Sequence, residues 1–106
     1  MQKRLEMIVF NTTYLVSEEI HDKWIERLAS VFIPTMTNTG TFSNPRFYKV
    51  LVEEKDGITY SLQFSVPDGS DLKKCEEMYN EMLETSMRQV FGESVLYFTT
   101  LLDEIN

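Results

Sequence analysis

The sequence predicts an α+β domain of the split βαβ, or ferredoxin-like, kind: βαββαβ in order, an antiparallel four-stranded sheet with two helices on one face. Three observations carry that expectation. Four stretches rich in β-branched and aromatic residues alternate with two stretches of helical period, in the order strand, helix, strand, strand, helix, strand. Each helical stretch has a single apolar stripe, so each covers one side of a sheet. A turn signal at Lys55-Asp56-Gly57 joins the second and third strands into a hairpin.

The 106 residues allow one domain with one core. Met1 to Glu6 is polar and unpatterned and is read as a mobile lead-in, with Met7 an equally good start, which leaves 7–106 as the domain. The first strand is expected from Met7 to Val16. Ile8, Phe10, Thr12, Tyr14 and Val16 make its more apolar face, and Val9, Asn11, Thr13 and Leu15 a mixed one. Ser17 caps the first helix, with Glu18 and Glu19 in its first turn. Ile20, Trp24, Leu28 and Phe32 recur every fourth residue, and Pro34 predicts an end near Phe32.

The hairpin arms are expected over Arg46–Glu54 and Ile58–Val66. A three-residue loop with Gly57 left-handed pairs Val52 with Tyr60, Val50 with Leu62 and Tyr48 with Phe64, which makes one face wholly apolar. Phe47, Lys49 and Leu51 then share the other face with Thr59, Ser61, Gln63 and Ser65. Ser70 or Asp71 caps a second helix that runs to about Phe91, with Leu72, Cys75, Tyr79, Met82, Leu83 and Val90 as its stripe and Gly92 as its stop. A last strand covers about Val95 to Leu102. Right-handed crossovers put the first and third strands side by side in the centre.

Composition narrows the function classes. At 42% hydrophobic and 25% charged, the chain matches an ordinary globular protein. No apolar run reaches the roughly 18 residues of a transmembrane helix, and MQKRLE lacks the apolar core of a signal peptide, so no membrane role is expected. A net charge of -7 opposes capture of nucleic acid. Cys75 is the only cysteine, which fits a reducing compartment and a cytoplasmic location.

No serine elbow, phosphate loop or metal-ligand spacing is present, and neither a cofactor nor a metal is implied. His21 reads as a helix-edge residue, Cys75 as a small core hydrophobe, and Trp24 as core first and a stacking platform for a ligand second. The mixed sheet face is the better candidate. There Asn11, Thr13, Lys49, Ser61, Gln63 and Ser65 converge as ligand-binding candidates, while Val9, Leu15, Phe47 and Leu51 leave apolar area that a second copy would cover.

The sequence also resembles a known group. IVFNTTYLVS in the first strand, His21 and Trp24 followed by Ile33-Pro34 and Thr39-Gly40-Thr41-Phe42, TYSLQFSVPD, and Phe91-Gly92 before FTTLLD are similar in order and spacing to the dimeric α+β barrel superfamily. Within it they resemble a small bacterial family defined only as a domain of unknown function. The resemblance covers nearly the whole chain from Met7. It implies a homodimer whose sheets pack face to face, with a cleft between sheet and helices in each protomer. The expected function is small-molecule binding at the sheet face or in that cleft. Superfamily members that are cofactor-independent monooxygenases or haem-degrading proteins supply the alternative, the latter using a first-strand Asn with Trp and His, places that Asn11 and Trp24 would take. Where members of the family read His-Ile-Pro, this chain has Phe32-Ile33-Pro34, and its second helix has no His, so a histidine-dependent mechanism has less support.

Overall fold

A computed structural model describes residues 7–53 and 56–105, so the expected lead-in lies outside the described residues, as do 54 and 55 of the expected hairpin. The fold is the ferredoxin-like one. Its antiparallel sheet has the order β2-β3-β1-β4, with β1 (Met7–Val16) and β3 (Ile58–Pro67) in the middle and β2 (Ser43–Lys49) and β4 (Val95–Asp103) at the edges. The strict alternation of β1 places Phe10, Thr12, Tyr14 and Val16 in the core beneath the helices. Asn11 and Thr13 look out of the opposite, open face, beside Gln63 and Ser61 on one flank and Thr100 and Phe98 on the other.

The first helix does not stop at Phe32. A 3₁₀ turn (Glu18–Ile20) leads into an α-helical stretch (His21–Arg27), a π turn (Leu28–Phe32) and a further α-helical stretch (Ile33–Thr37). Trp24, Leu28, Phe32 and Met36 are all buried, which extends the every-fourth-residue stripe by one step. In an ideal α-helix such a stripe drifts by about 40° per step, because four residues turn through more than one full revolution. The wider π turn takes up that drift and keeps the stripe on the sheet, and Pro34 is tolerated at the start of the stretch that follows.

The second helix repeats the device. Asp71 caps it by accepting a hydrogen bond from the Lys74 N–H at 3.3 Å, and the α-helical stretch Leu72–Leu83 passes into a π turn (Glu84–Arg88) before Gln89–Phe91. Ser86 and Met87 are buried as a result, whereas Val90, expected on the stripe, is exposed and Phe91 packs against the core instead. Gly92 ends the helix with φ 58°. Arg27 ties the helices together at this level, donating from Nε to the Ser86 carbonyl at 2.8 Å.

The register of β2 differs from the expected one. Tyr60 faces Lys49 rather than Val52, and Leu62 faces Phe47 rather than Val50. That displacement is an odd number of residues, so every β2 side chain changes face. The cause lies at both ends of the strand. A bulge at Asn44 (φ 49°) and Pro45, which has no N–H to donate, shifts the pairing between Ser43 and Arg46. At the other end the strand leaves the sheet after Val50, whose N–H still donates to the Thr59 carbonyl at 2.9 Å. The turn signal therefore does not set the pairing.

Gly57 is required for a different reason from the one expected. Its backbone is nearly extended (φ 157°), and a Cβ there would overlap the Val16 carbonyl oxygen. Gly57→Ala should therefore separate β3 from the end of β1 and lower stability by about 1–3 kcal/mol in urea unfolding. Gly69→Ala, with open space around its Cβ position, should cost less despite its positive φ.

Candidate functional site

The open sheet face gathers five of the seven expected ligand-binding residues. Asn11 and Thr13 on β1 and Ser61, Gln63 and Ser65 on β3 lie in register there. Ser61 Oγ donates to Asn11 Oδ1 at 2.6 Å, and Gln63 Nε2 donates to the same oxygen at 3.3 Å. Arg46 completes the row. Its Nε donates to Gln63 Oε1 at 3.3 Å, while Nη1 donates to Ser65 Oγ at 3.1 Å and to the Asn44 carbonyl at 2.8 Å. Arg46 takes the position expected of Lys49, because the shifted register turns Lys49 to the helix side at the exposed end of β2, where its ammonium can reach water.

Trp24 is not on this face either. It is fully buried on the helix side, stacked on Tyr60 (5.3 Å between ring centres), tilted against Phe47 (6.1 Å) and met edge-on by Tyr14 (5.0 Å). Its indole N–H has no hydrogen-bond partner among the described residues. Phe47, expected at the dimer interface, belongs to this cluster too, stacked 4.9 Å from Tyr60. Leu51, expected beside it, is 91% exposed but lies beyond β2 in the connection rather than on the sheet. Asn11 and Trp24 thus sit on opposite sides of the sheet. His21 closes the cluster at the helix edge, its Nε2 2.7 Å from the Tyr60 hydroxyl and its Nδ1 3.1 Å from Asp22.

Apolar side chains surround the polar row. Val9 and Leu15 are there as expected, and β4 adds Leu96 (49% exposed), Phe98 (63%) and Leu102 (41%), with Tyr48 (50%) across the sheet on β2. Sequence reasoning stopped short of these β4 residues, although their alternation with Tyr97, Thr99 and Leu101 is visible in the chain. Near the Arg46 end the face dips into a depression of about 500 Å³ reaching Leu102 and Glu104.

A second concavity, of about 270 Å³, lies between the second helix and β4 and is lined by Phe10, Glu76, Asn80, Tyr97, Thr99 and Leu101, with Phe98 at its rim. Below it runs a chain of hydroxyls: Thr12 Oγ1 lies 2.9 Å from Thr99 Oγ1 and 2.6 Å from the Tyr79 hydroxyl. Burial holds the Tyr79 and Tyr14 phenols well above their ordinary range, so both stay neutral donors. Glu76 and Asn80 lie off the apolar stripe of the second helix, and their i, i+4 spacing puts them on one face. Thr12, a lone polar residue in an apolar row, was the visible sign of the buried chain. Burial, reinforced by Asp71, also raises the Cys75 thiol pKa, so Cys75 is a packed thiol rather than a nucleophile. Among the described residues no group of three or more His, Cys, Asp or Glu side chains could hold a metal ion.

Residues 7–105 match the model of the family described as domain of unknown function (DUF4286). The chain belongs to that family. No curated protein matches this DUF4286 chain. Solved structures similar to it include a protein from Shewanella oneidensis (15% identity, TM-score 0.64, 95% of each chain covered). A dimeric ferredoxin-like protein from an uncultured marine organism is similar at 13% identity and TM-score 0.60, over 97% of this chain and 98% of that one. A candidate monooxygenase from Shewanella loihica is similar at 12% identity and TM-score 0.60, over 98% and 99%. At these identities the likeness shows a shared fold.

The hydroxyl chain is open to a double-mutant test. Thr12→Val should strand the fully buried Tyr79 hydroxyl and destabilise the protein by about 1–3 kcal/mol, whereas adding Tyr79→Phe should recover part of that loss. Additive effects of the two substitutions in urea unfolding would show that the chain is not a coupled unit.

Proposed function

We propose that the protein is a homodimeric small-molecule-binding protein of the cytoplasm. Two copies pack their open sheet faces together, and each keeps the cleft between second helix and β4 for a ligand. The observation that carries this is the exposure of Leu96, Phe98, Leu102 and Tyr48 around a polar row whose members already bond to one another. Large apolar side chains so exposed along both edges of one sheet face are uncommon on a monomer, and a two-fold pairing covers them with one surface used twice. The satisfied row then serves as the polar centre of the interface, and the cleft remains for a ligand. The dimeric ferredoxin-like neighbour supports the assembly, and the single buried thiol supports the reducing compartment. Among the described residues no helix is long and apolar enough to cross a membrane.

A second reading draws on the description of the Shewanella loihica neighbour and on the hydroxyl chain under the cleft, which can pass a proton between Thr99 and Tyr79. It makes the cleft the site of a cofactor-independent monooxygenase or haem-degrading enzyme. Turnover of a polycyclic phenol or a change in haem absorbance would favour it over simple binding. The opposite-face placement of Asn11 and Trp24 removes the pair that linked the chain to haem degradation.

Light scattering at micromolar concentration should give twice the chain mass, and Phe98→Asp, which puts a charge into the apolar surface the second copy would cover, should give the monomer mass without loss of fold. A parent that scatters as a monomer would refute the assembly.

A further inference from the structure

We propose that the cleft between the second helix and β4 selects small amines, with an apolar body and a hydrogen-bonding group at the far end, and rejects carboxylates and phosphates. The inference rests on reading that cleft as the ligand site and adds the chemistry of its occupant. At about 270 Å³ the cleft is slightly below the roughly 300 Å³ at which pockets for drug-sized ligands begin, so the ligand is small. Phe10, Tyr97 and Leu101 supply walls for an apolar body.

Charge at the cleft has one sign. Glu76 is the only charged residue of the lining, and an ionised carboxylate accepts hydrogen bonds without donating any. One guanidinium lies near: Arg88 is 5.5 Å from the centre of the Tyr97 ring, but Glu84 meets it at 3.7 Å and offsets its charge. The chain's net charge of -7 adds a background that draws cations and repels anions. An ammonium group beside Glu76 is therefore favoured, and an anion there has no partner.

The hydroxyl chain sets the other end. Tyr79, Thr12 and Thr99 hold three hydroxyl hydrogens and make two hydrogen bonds among themselves, so one hydrogen is left over. The buried Tyr14 hydroxyl adjoins Tyr79 and Thr12 and can take that hydrogen, so the chain is satisfied in either direction. Thr99, which lines the cleft, therefore presents a hydroxyl that can donate or accept. The floor then offers a hydroxyl while the mouth holds a negative charge.

Tyramine, tyrosol and 4-hydroxyphenylacetate test this directly, since they share a phenol and differ in the charge of the other end. Each is titrated into the ¹⁵N-labelled full chain and followed by amide chemical shifts at Phe10, Tyr97 and Thr99. Tyramine should bind tightest and 4-hydroxyphenylacetate weakest. Glu76→Gln, at an exposed position, should weaken tyramine by up to about fivefold and leave tyrosol unchanged. If tyrosol binds but tyramine binds no tighter, or if Glu76→Gln leaves their ratio intact, the amine preference is wrong while the cleft stands as a ligand site. If the acid binds as well as the amine, the preference is likewise overturned. If none of the three moves these resonances, the cleft reading and the inference fall together.

Discussion

Strand β1 is hydrogen-bonded along its length on both flanks, to β3 from Met7↔Pro67 to Val16↔Ile58 and to β4 from Ile8↔Asp103 to Val16↔Val95. That double pairing makes the period-two alternation of one ten-residue segment the divider of the molecule. Even-numbered residues go under the helices and odd-numbered ones to the open face, and both neighbouring strands inherit the assignment through their register. The open-face row and the buried hydroxyl chain are consequences of the same alternation read from opposite sides: Asn11 anchors the first and Thr12 the second. A slip of one residue in β1 would exchange them.

The helices meet this constraint by departing from ideal α geometry. Each must keep a stripe on the sheet, and each carries a π turn where the every-fourth-residue pattern would otherwise drift away. In the second helix the turn also brings Ser86 to the inter-helix surface, where Arg27 donates to its carbonyl. Packing in the core is largely aromatic. Phe10, Phe42, Phe64 and Tyr79 meet with ring centres 5.2–6.2 Å apart, so the core's geometry is set by oriented rings as much as by volume.

Much of this was legible in the residues. The βαββαβ order and the central pairing of β1 with β3 follow from periodicity and crossover handedness alone, and Asn11, Thr13, Ser61, Gln63 and Ser65 meet where the alternation puts them. What stayed hidden depends on β2 and on helix geometry. Lys55-Asp56-Gly57 looked like a three-residue hairpin loop, but the strand pairing ends earlier, and the bulge at Asn44-Pro45 sets the register instead. Hence Arg46 replaces Lys49 in the polar row and Phe47, still half-exposed, turns to the helix side beside Trp24 and Tyr60. Pro34 looked like a stop because the expected helix was purely α. Glu76 and Asn80 carry no signal until β4 is placed beside them, since polar residues four apart on a helix ordinarily face water.

The central claim is that the two faces of this sheet have different partners: helices of the same chain on one side, a second copy on the other. Isotope-filtered NOE spectra of a mixture of labelled and unlabelled chains report contacts between copies and nothing else. The account predicts that these contacts arise from Leu96, Phe98, Leu102 and Tyr48, with none from Trp24 or Phe47. Intermolecular contacts arising instead from the outer helix surface, at Val31, Val90 and Phe91, would contradict it, as would their complete absence.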